Sequence, residues 1–165
     1  SQKMANHLIK TCKSISLSAQ LNAANLGMHT INKYKRVETI VINEMELRQE
    51  MNDRSSKIKV LMKKLTQRIK LQNLIVTRGI NGSILYDKKK NQFIECPAFA
   101  SHVVDKVGAG DSMLSILSVS LSAGIDKHLS LLLGSLASAQ SIELMGPGMS
   151  VDKNKILRII ENLLK

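Results

Sequence analysis

Two short runs constrain this chain most: Thr39-Ile40-Val41-Ile42 and Asn73-Leu74-Ile75-Val76-Thr77, nearly continuous in apolar, largely β-branched residues. Runs of this kind suit strands buried on both faces, as in parallel sheets. Between them apolar residues recur at helical spacing, from Met45 to about Asn52 and from Ser55 to Leu71, where Ile58, Leu61, Met62, Leu65 and Ile69 form one stripe. Lys57, Lys59, Lys63, Lys64 and Arg68 take the other face, the usual place for a solvated charge run.

The rest of the chain continues the alternation. Residues 3 to 11 read as the end of a helix, and Ser14 to Ala19 as a short strand. Ser83 to Asp87 and Gln92 to Cys96 predict a small β-hairpin around Lys88-Lys89-Lys90-Asn91, with a charged tip that discourages edge pairing. Ser112 to Ala123 is apolar on nearly every side and predicts a central buried helix; Leu129 to Leu144 predicts another, stopped by Gly146-Pro147-Gly148. An amphipathic helix begins at Asp152, with Ile156, Ile159, Ile160 and Leu163 on one side. Together these elements predict a layered α/β fold, a mainly parallel sheet flanked by helices, within one domain spanning 1–165.

Composition narrows the function classes. Lys and Arg number 24 against 13 Asp and Glu, a formal charge of +11, which raises the question of a polyanionic partner. The positive residues are spread along the chain, and two Phe, two Tyr and no Trp offer little on which to stack bases, so nucleic acid is not the expected partner. Cys12 and Cys96 stand far apart, with no Cys/His cluster at zinc spacing, which fits a reducing, cytoplasmic setting. The longest uncharged segment, Ser112 to Ile125, is too short for a membrane span of about 20 apolar residues, and Lys3, His7, Lys10 and Lys13 interrupt any leader-like apolar stretch.

Three short motifs carry candidate chemistry, each placed after a strand, where open α/β sheets bind ligands. Gly108-Ala109-Gly110-Asp111 opens a helix. The free amides of a first turn, approached over glycines, can hold a phosphate or oxyanion, and Asp111 could take a proton from a hydroxyl there. A glycine turn ending in an N-cap is the plain alternative. The segment is neither a Walker loop, for no Lys-Ser/Thr follows, nor a dinucleotide fingerprint, for Met113 stands where a third glycine is needed. Asn43 and Glu46, three apart at a helix start, could serve a hydrated Mg²⁺ or form a capping box. Thr77-Arg78-Gly79-Ile80-Asn81-Gly82 is either a nucleotide-edge loop or a turn into the hairpin.

The ordered set N-x-x-E, T-x-G-x-x-G and D-x-x-G-A-G-D resembles the C-terminal, nucleotide-binding half of the PfkB (ribokinase-like) carbohydrate kinases, over about residues 15 to 150. The resemblance implies a Rossmann-like, ribokinase-like layered fold and ATP-dependent phosphorylation of a sugar or sugar-phosphate hydroxyl. It implies that Asp111 is the catalytic base, that Gly108, Ala109 and Gly110 form an anion hole, and that Thr77, Gly79, Gly82 and Asn43 border the nucleotide. Asn43 and Glu46 would help place Mg²⁺ and phosphates, with Glu46 reaching the ion through water, and Asp105 would lie near a monovalent-cation site for an ion such as K⁺. The segment Gln20 to Gly27 is similar to members associated with bacterial surface-sugar assembly, such as heptose kinases.

Lys106 departs from the family pattern, standing where small or hydroxyl residues are commoner. The larger departure is length: the family's N-terminal half, with most sugar contacts and the lid, has no counterpart here. The expected partners are therefore nucleotide, sugar, and a complementing N-terminal half or a second copy. A non-catalytic kinase-like module that binds nucleotide or a partner chain is the alternative function.

Overall fold

The computed structural model describes residues 7–8, 10–12, 14–18, 31, 36–100, 108–143 and 151–163. Its centre is a five-stranded sheet of β1 (Ser16–Ser18), β2 (Arg36–Asn43), β3 (Lys70–Thr77), β4 (Ser83–Asp87) and β5 (Gln92–Cys96), in that spatial order. β1, β2 and β3 pair in parallel, whereas β3–β4 and β4–β5 are antiparallel. Reversing direction twice returns β5 to the direction of β3, so only β4 runs against the other strands. The sheet is thus mixed in its pairing, with the expected hairpin as its antiparallel part.

Side chains alternate across the strands with period two, and this builds two cores. Ile40, Ile42, Leu74, Val76, Ile84 and Tyr86 point to one face, where they pack against Leu47 and against Leu61, Met62 and Leu65. These last residues belong to α1 (Glu44–Met51) and α2 (Ile58–Arg68), the connection from β2 to β3. Val41, Ile75, Leu85, Ile94 and Cys96 point to the other face, against Met113, Leu117 and Leu131 of α3 (Ala109–Ser122) and α4 (Lys127–Glu143). α5 (Lys153–Leu163) adds Ile156 to a smaller cluster with Leu136 and Ala137.

Local chemistry sets the element boundaries. Arg48 pairs with Glu44 one turn earlier at 2.8 Å and donates to the carbonyls of Arg54 and Ser56, which fixes the bend between α1 and α2. Asp126 caps α4, its carboxylate accepting from the amides of His128 and Leu129. Gly134 lets α4 approach α3 closely: a Cβ there would meet Leu117 Cδ1 at 3.1 Å and Met113 Cγ at 3.3 Å.

Two expectations need correction. α3 is not buried all round: Met113, Leu117 and Ser120 are enclosed, but Val119 is 69% exposed and Asp111, Ser115 and Ser122 also face solvent. One stripe meets the sheet and α4, Leu114, Ile116 and Leu121 pack partly buried at its margins, and Val119 faces solvent. The lysine face of α2 is not simply solvated either, because Lys59 pairs with Glu95 at 2.6 Å and both Lys59 and Lys63 lie over the Phe93 ring, at 5.4 and 5.6 Å. The hairpin folds back beside α2, and local spacing does not encode that meeting.

A polar rung crosses the sheet at the end opposite the C-terminus of β3. Thr39, Asn73 and Asp87 are register partners in successive strands, all buried, and Asn73 Nδ2 donates to Thr39 Oγ1 at 3.3 Å. The Asp87 side chain is 2% exposed and pairs with Lys127 Nζ at 2.8 Å, fastening the start of α4 to the hairpin. Burial by itself raises the Asp87 pKa; the Lys127 ammonium and the amides of Lys89 and Lys90 outweigh it and hold the carboxyl below its ordinary value of 3.8.

A carboxylate with a depressed native pKa contributes stability that is present above its unfolded value and lost as pH falls through the native one. Asp87→Asn should cost about 2–4 kcal/mol at pH 7, since it leaves Lys127 without its counter-charge. That difference should shrink when unfolding is followed well below pH 3.8; a pH-independent difference would refute the role assigned to the ion pair.

The turn after β3 separates two glycines that share a positive φ. Gly82, at φ +72, lies under β5: a Cβ would run into the Cys96 carbonyl oxygen and lie 2.7 Å from the Pro97 carbonyl carbon. Gly79, at φ +58, has nothing within 4 Å of that position. Gly82→Ala should therefore destabilise by about 3 kcal/mol or more, against about 1 kcal/mol for Gly79→Ala, in denaturant titrations. Equal costs would mean that conformation alone, and not the close approach to β5, demands glycine at Gly82.

Candidate active site

Register brings two of the three motifs to one end of the sheet. Asn43, the last residue of β2, pairs with Thr77, the last of β3; Thr77 pairs with Ser83, and Ser83 with Cys96, the last of β5. The turn containing Gly79 and Gly82, and the start of α1 with Glu46, thus stand at the carboxyl ends of the strands.

The third motif reaches the same end by helix packing. At one extreme of α4, Lys127 meets Asp87, at the far end of the sheet. Two turns on, Ser135 Oγ lies 2.9 Å from Ser83 Oγ, at the rung just described. Continuing in that direction, Ser141 Oγ lies 3.6 Å from where a Cβ on Gly108 would stand. Since Gly134 also contacts Met113 and Leu117, α3 runs antiparallel to α4 and begins beyond the carboxyl ends of the strands. Nothing in the local spacing marks Ser83, and the trace of Ser135 and Ser141 is the small-residue character of one face of α4.

The start of α3 is built as an open backbone turn. Gly108 adopts φ +82 as its N-cap, and no side chain caps the helix. Gly108, Ala109 and Gly110 are half-buried, and a Cβ on Gly110 would meet nothing within 4 Å. Among the described residues the amides of Ala109 and Gly110 have no acceptor. Asp111 is exposed, in the first turn. Amides aligned with the positive end of the helix dipole, beside an exposed carboxylate, can hold an anionic group while accepting a proton from a neighbour.

Asn43 and Glu46 do form a capping box. Glu46 N donates to Asn43 Oδ1 and Asn43 N donates to Glu46 Oε2, both at 2.8 Å. This geometry orients the Glu46 carboxylate and leaves it half-buried at the sheet end. Among the described residues no group of three or more His, Cys, Asp or Glu is arranged to hold a metal. Asn43 and Glu46 offer oxygen atoms of the kind a hydrated Mg²⁺ accepts through water. Asp105, Lys106 and the segment Gln20 to Gly27 lie outside the described residues. Among those described, no helix is long and apolar enough to cross a membrane.

The fold has close counterparts. The ribokinase of Arabidopsis thaliana, solved with ribose and ATP, superposes with a TM-score of 0.79 at 21% identity, over 97% of this chain and 51% of that one. The phosphofructokinase-2 of Escherichia coli, solved with potassium, gives a TM-score of 0.79 at 15% identity, over 99% of this chain and 52% of that one.

Curated relatives match in sequence. The bifunctional protein HldE of Hahella chejuensis is 27% identical over 131 residues, 78% of this chain and 27% of its own length. An uncharacterized sugar kinase of Buchnera aphidicola subsp. Schizaphis graminum is 29% identical over 119 residues, 71% of this chain and 37% of its own length. The chain thus spans about half the length of these solved structures and matches a smaller share of the curated relatives. Residues 1–154 match the family described as pfkB family carbohydrate kinase, and the chain belongs to that family.

Proposed function

We propose that this chain forms the nucleotide-binding and proton-accepting part of an ATP-dependent kinase that phosphorylates a hydroxyl of a sugar or sugar phosphate. The observation that carries this reading is the convergence of Asn43, Thr77 and the Gly108–Asp111 turn at the carboxyl end of one sheet. Family membership supports the reaction class. Asp111 takes the proton from the acceptor hydroxyl as its oxygen forms the new bond to the γ-phosphorus, and the bond from that phosphorus to the ADP oxygen breaks. The amides after Gly108 stabilise the negative charge on the phosphoryl oxygens in transit.

Thr77, Gly79 and Gly82 border the nucleotide on the far side of the same end. Open space above Gly79 leaves its backbone accessible to a flat or anionic group. Asn43 and Glu46 are the residues that would hold a hydrated Mg²⁺, which when bound neutralises phosphate charge. A monovalent cation such as K⁺ near Asp105, and cytoplasmic residence, belong to the same proposal.

A second reading, a non-catalytic module that completes a larger assembly, draws on one observation. α3 carries Val119, 69% exposed, an apolar side chain outside the buried stripe of Met113, Leu117 and Ser120. The complementing partner is an N-terminal kinase half or a second copy. Light scattering that found only a stable monomer, together with kinase turnover by that monomer, would eliminate this reading.

Asp111→Asn separates base chemistry from binding. In the kinase assay, sugar-dependent ADP release should fall about 10²–10⁴-fold, while ATP affinity by calorimetry stays within about threefold. Turnover unchanged by the substitution would refute Asp111 as the base.

A further inference from the structure

Arg78 occupies an x position of the T-x-G-x-x-G turn, and its surroundings are unusually constrained. Its backbone amide donates to the Gly82 carbonyl at 2.8 Å, and Nη2 donates to the Asn81 carbonyl at 2.8 Å. Both bonds close the turn on itself, one through the backbone and one through the side chain. Nη2 also lies 3.6 Å from Glu95 Oε2 on β5.

Glu95 is held in turn by α2, since Lys59 Nζ pairs with its other oxygen, Oε1, at 2.6 Å. Lys59 is itself placed over Phe93, whose ring stacks on Tyr86 with centroids 4.6 Å apart. A continuous line of contacts therefore runs from the core-facing rings of the hairpin, through Lys59 and Glu95, to the guanidinium and the turn carbonyls.

The Arg78 side chain is 20% exposed, and among the described residues its buried Nε has no partner. Leaving a buried donor unsatisfied is unfavourable, so the position is not one that an arginine adopts merely to solvate its charge. A planar fork can bridge a carbonyl and a carboxylate at once, which a lysine ammonium on a flexible stem does less rigidly. The turn itself needs such support: Gly79 and Gly82 both have positive φ, and Gly79 and Asn81 are exposed, with Ile80 91% exposed, so few side-chain contacts hold its shape.

We propose that Arg78 is a positioning residue which, braced by Glu95 and Lys59, presets the turn Gly79–Gly82 in the shape that receives the nucleotide. The inference rests on the nucleotide reading given above and deepens it, by naming the group that pre-organises the binding loop. Preorganisation acts on affinity, because a loop already in its bound shape has less freedom to lose on binding. Arg78 acts through the turn and is assigned no contact with the nucleotide.

The test compares the wild-type chain with Arg78→Ala, Arg78→Lys and Glu95→Gln. Amide hydrogen exchange without nucleotide should be at least about tenfold faster at Asn81 and Gly82 in Arg78→Ala, with Leu74 to Val76 in β3 unchanged. In the wild type and the variants, Mg-ATP titrated by calorimetry should bind about tenfold more weakly to Arg78→Ala. Arg78→Lys and Glu95→Gln should give intermediate losses.

Unchanged exchange and affinity in Arg78→Ala would overturn the proposal. Faster exchange with unchanged affinity would overturn its nucleotide role. Exchange that rises equally in β3 would show a general loss of stability and count against it. A wild-type chain without measurable ATP affinity would defeat the nucleotide reading itself, and the exchange comparison would still decide whether Arg78 holds the turn.

Discussion

The registered pairing of β2 with β3 is the constraint on which the rest of this structure depends. Asn43 stands opposite Thr77, and from that rung backward each residue of one strand shares a face with its partner. Period-two alternation then divides the apolar residues: Ile40, Ile42, Leu74 and Val76 serve one core, Val41 and Ile75 the other. A slip of one residue would send each set to the opposite face. It would also separate Asn43 from Thr77, and so uncouple the capped start of α1 from the turn that follows β3.

Each face receives its own pair of helices, for different local reasons. α1 and α2 lie in the connection between two neighbouring parallel strands, joined by a bend that Arg48 fixes, so their placement follows from chain connectivity. α3 and α4 are fastened by contacts distant in sequence: the Lys127–Asp87 pair at one end of the sheet and the Ser83–Ser135 hydroxyl contact at the other. These two fasteners, with the close approach allowed by Gly134, deliver the Gly108–Asp111 turn to the carboxyl ends of the strands. The placement of that turn is thus a consequence of how α4 is pinned.

Much of the architecture was legible because its signals are local. The hairpin from Ser83 to Cys96 is written in two short β patterns and a lysine-rich turn, and the capping potential of Asn43 and Glu46 in their spacing of three. Other features were not legible. The apolar residues of α3 predicted burial on all sides, yet apolarity does not say how many neighbours a helix will find, and Val119 finds few. Lys59 read as one more solvated charge, because its partners, Glu95 and Phe93, are brought to it only when the hairpin folds beside α2.

The sequence by itself determined the elements and the chemistry available to them: buried strand runs, glycines for turns with positive φ, and an acid at the opening of a helix. Periodicity and residue type act over a few positions, and these features need no more. Only the tertiary structure decided that the acid, the turn after β3 and the end of β2 share one end of the sheet. It alone decided that Glu46 turns its carboxylate back to the Asn43 amide, and that Arg78 closes its own turn against Glu95. Those outcomes depend on strand register and on helix packing between residues far apart in sequence, such as Ser83 and Ser135, and no local pattern encodes them.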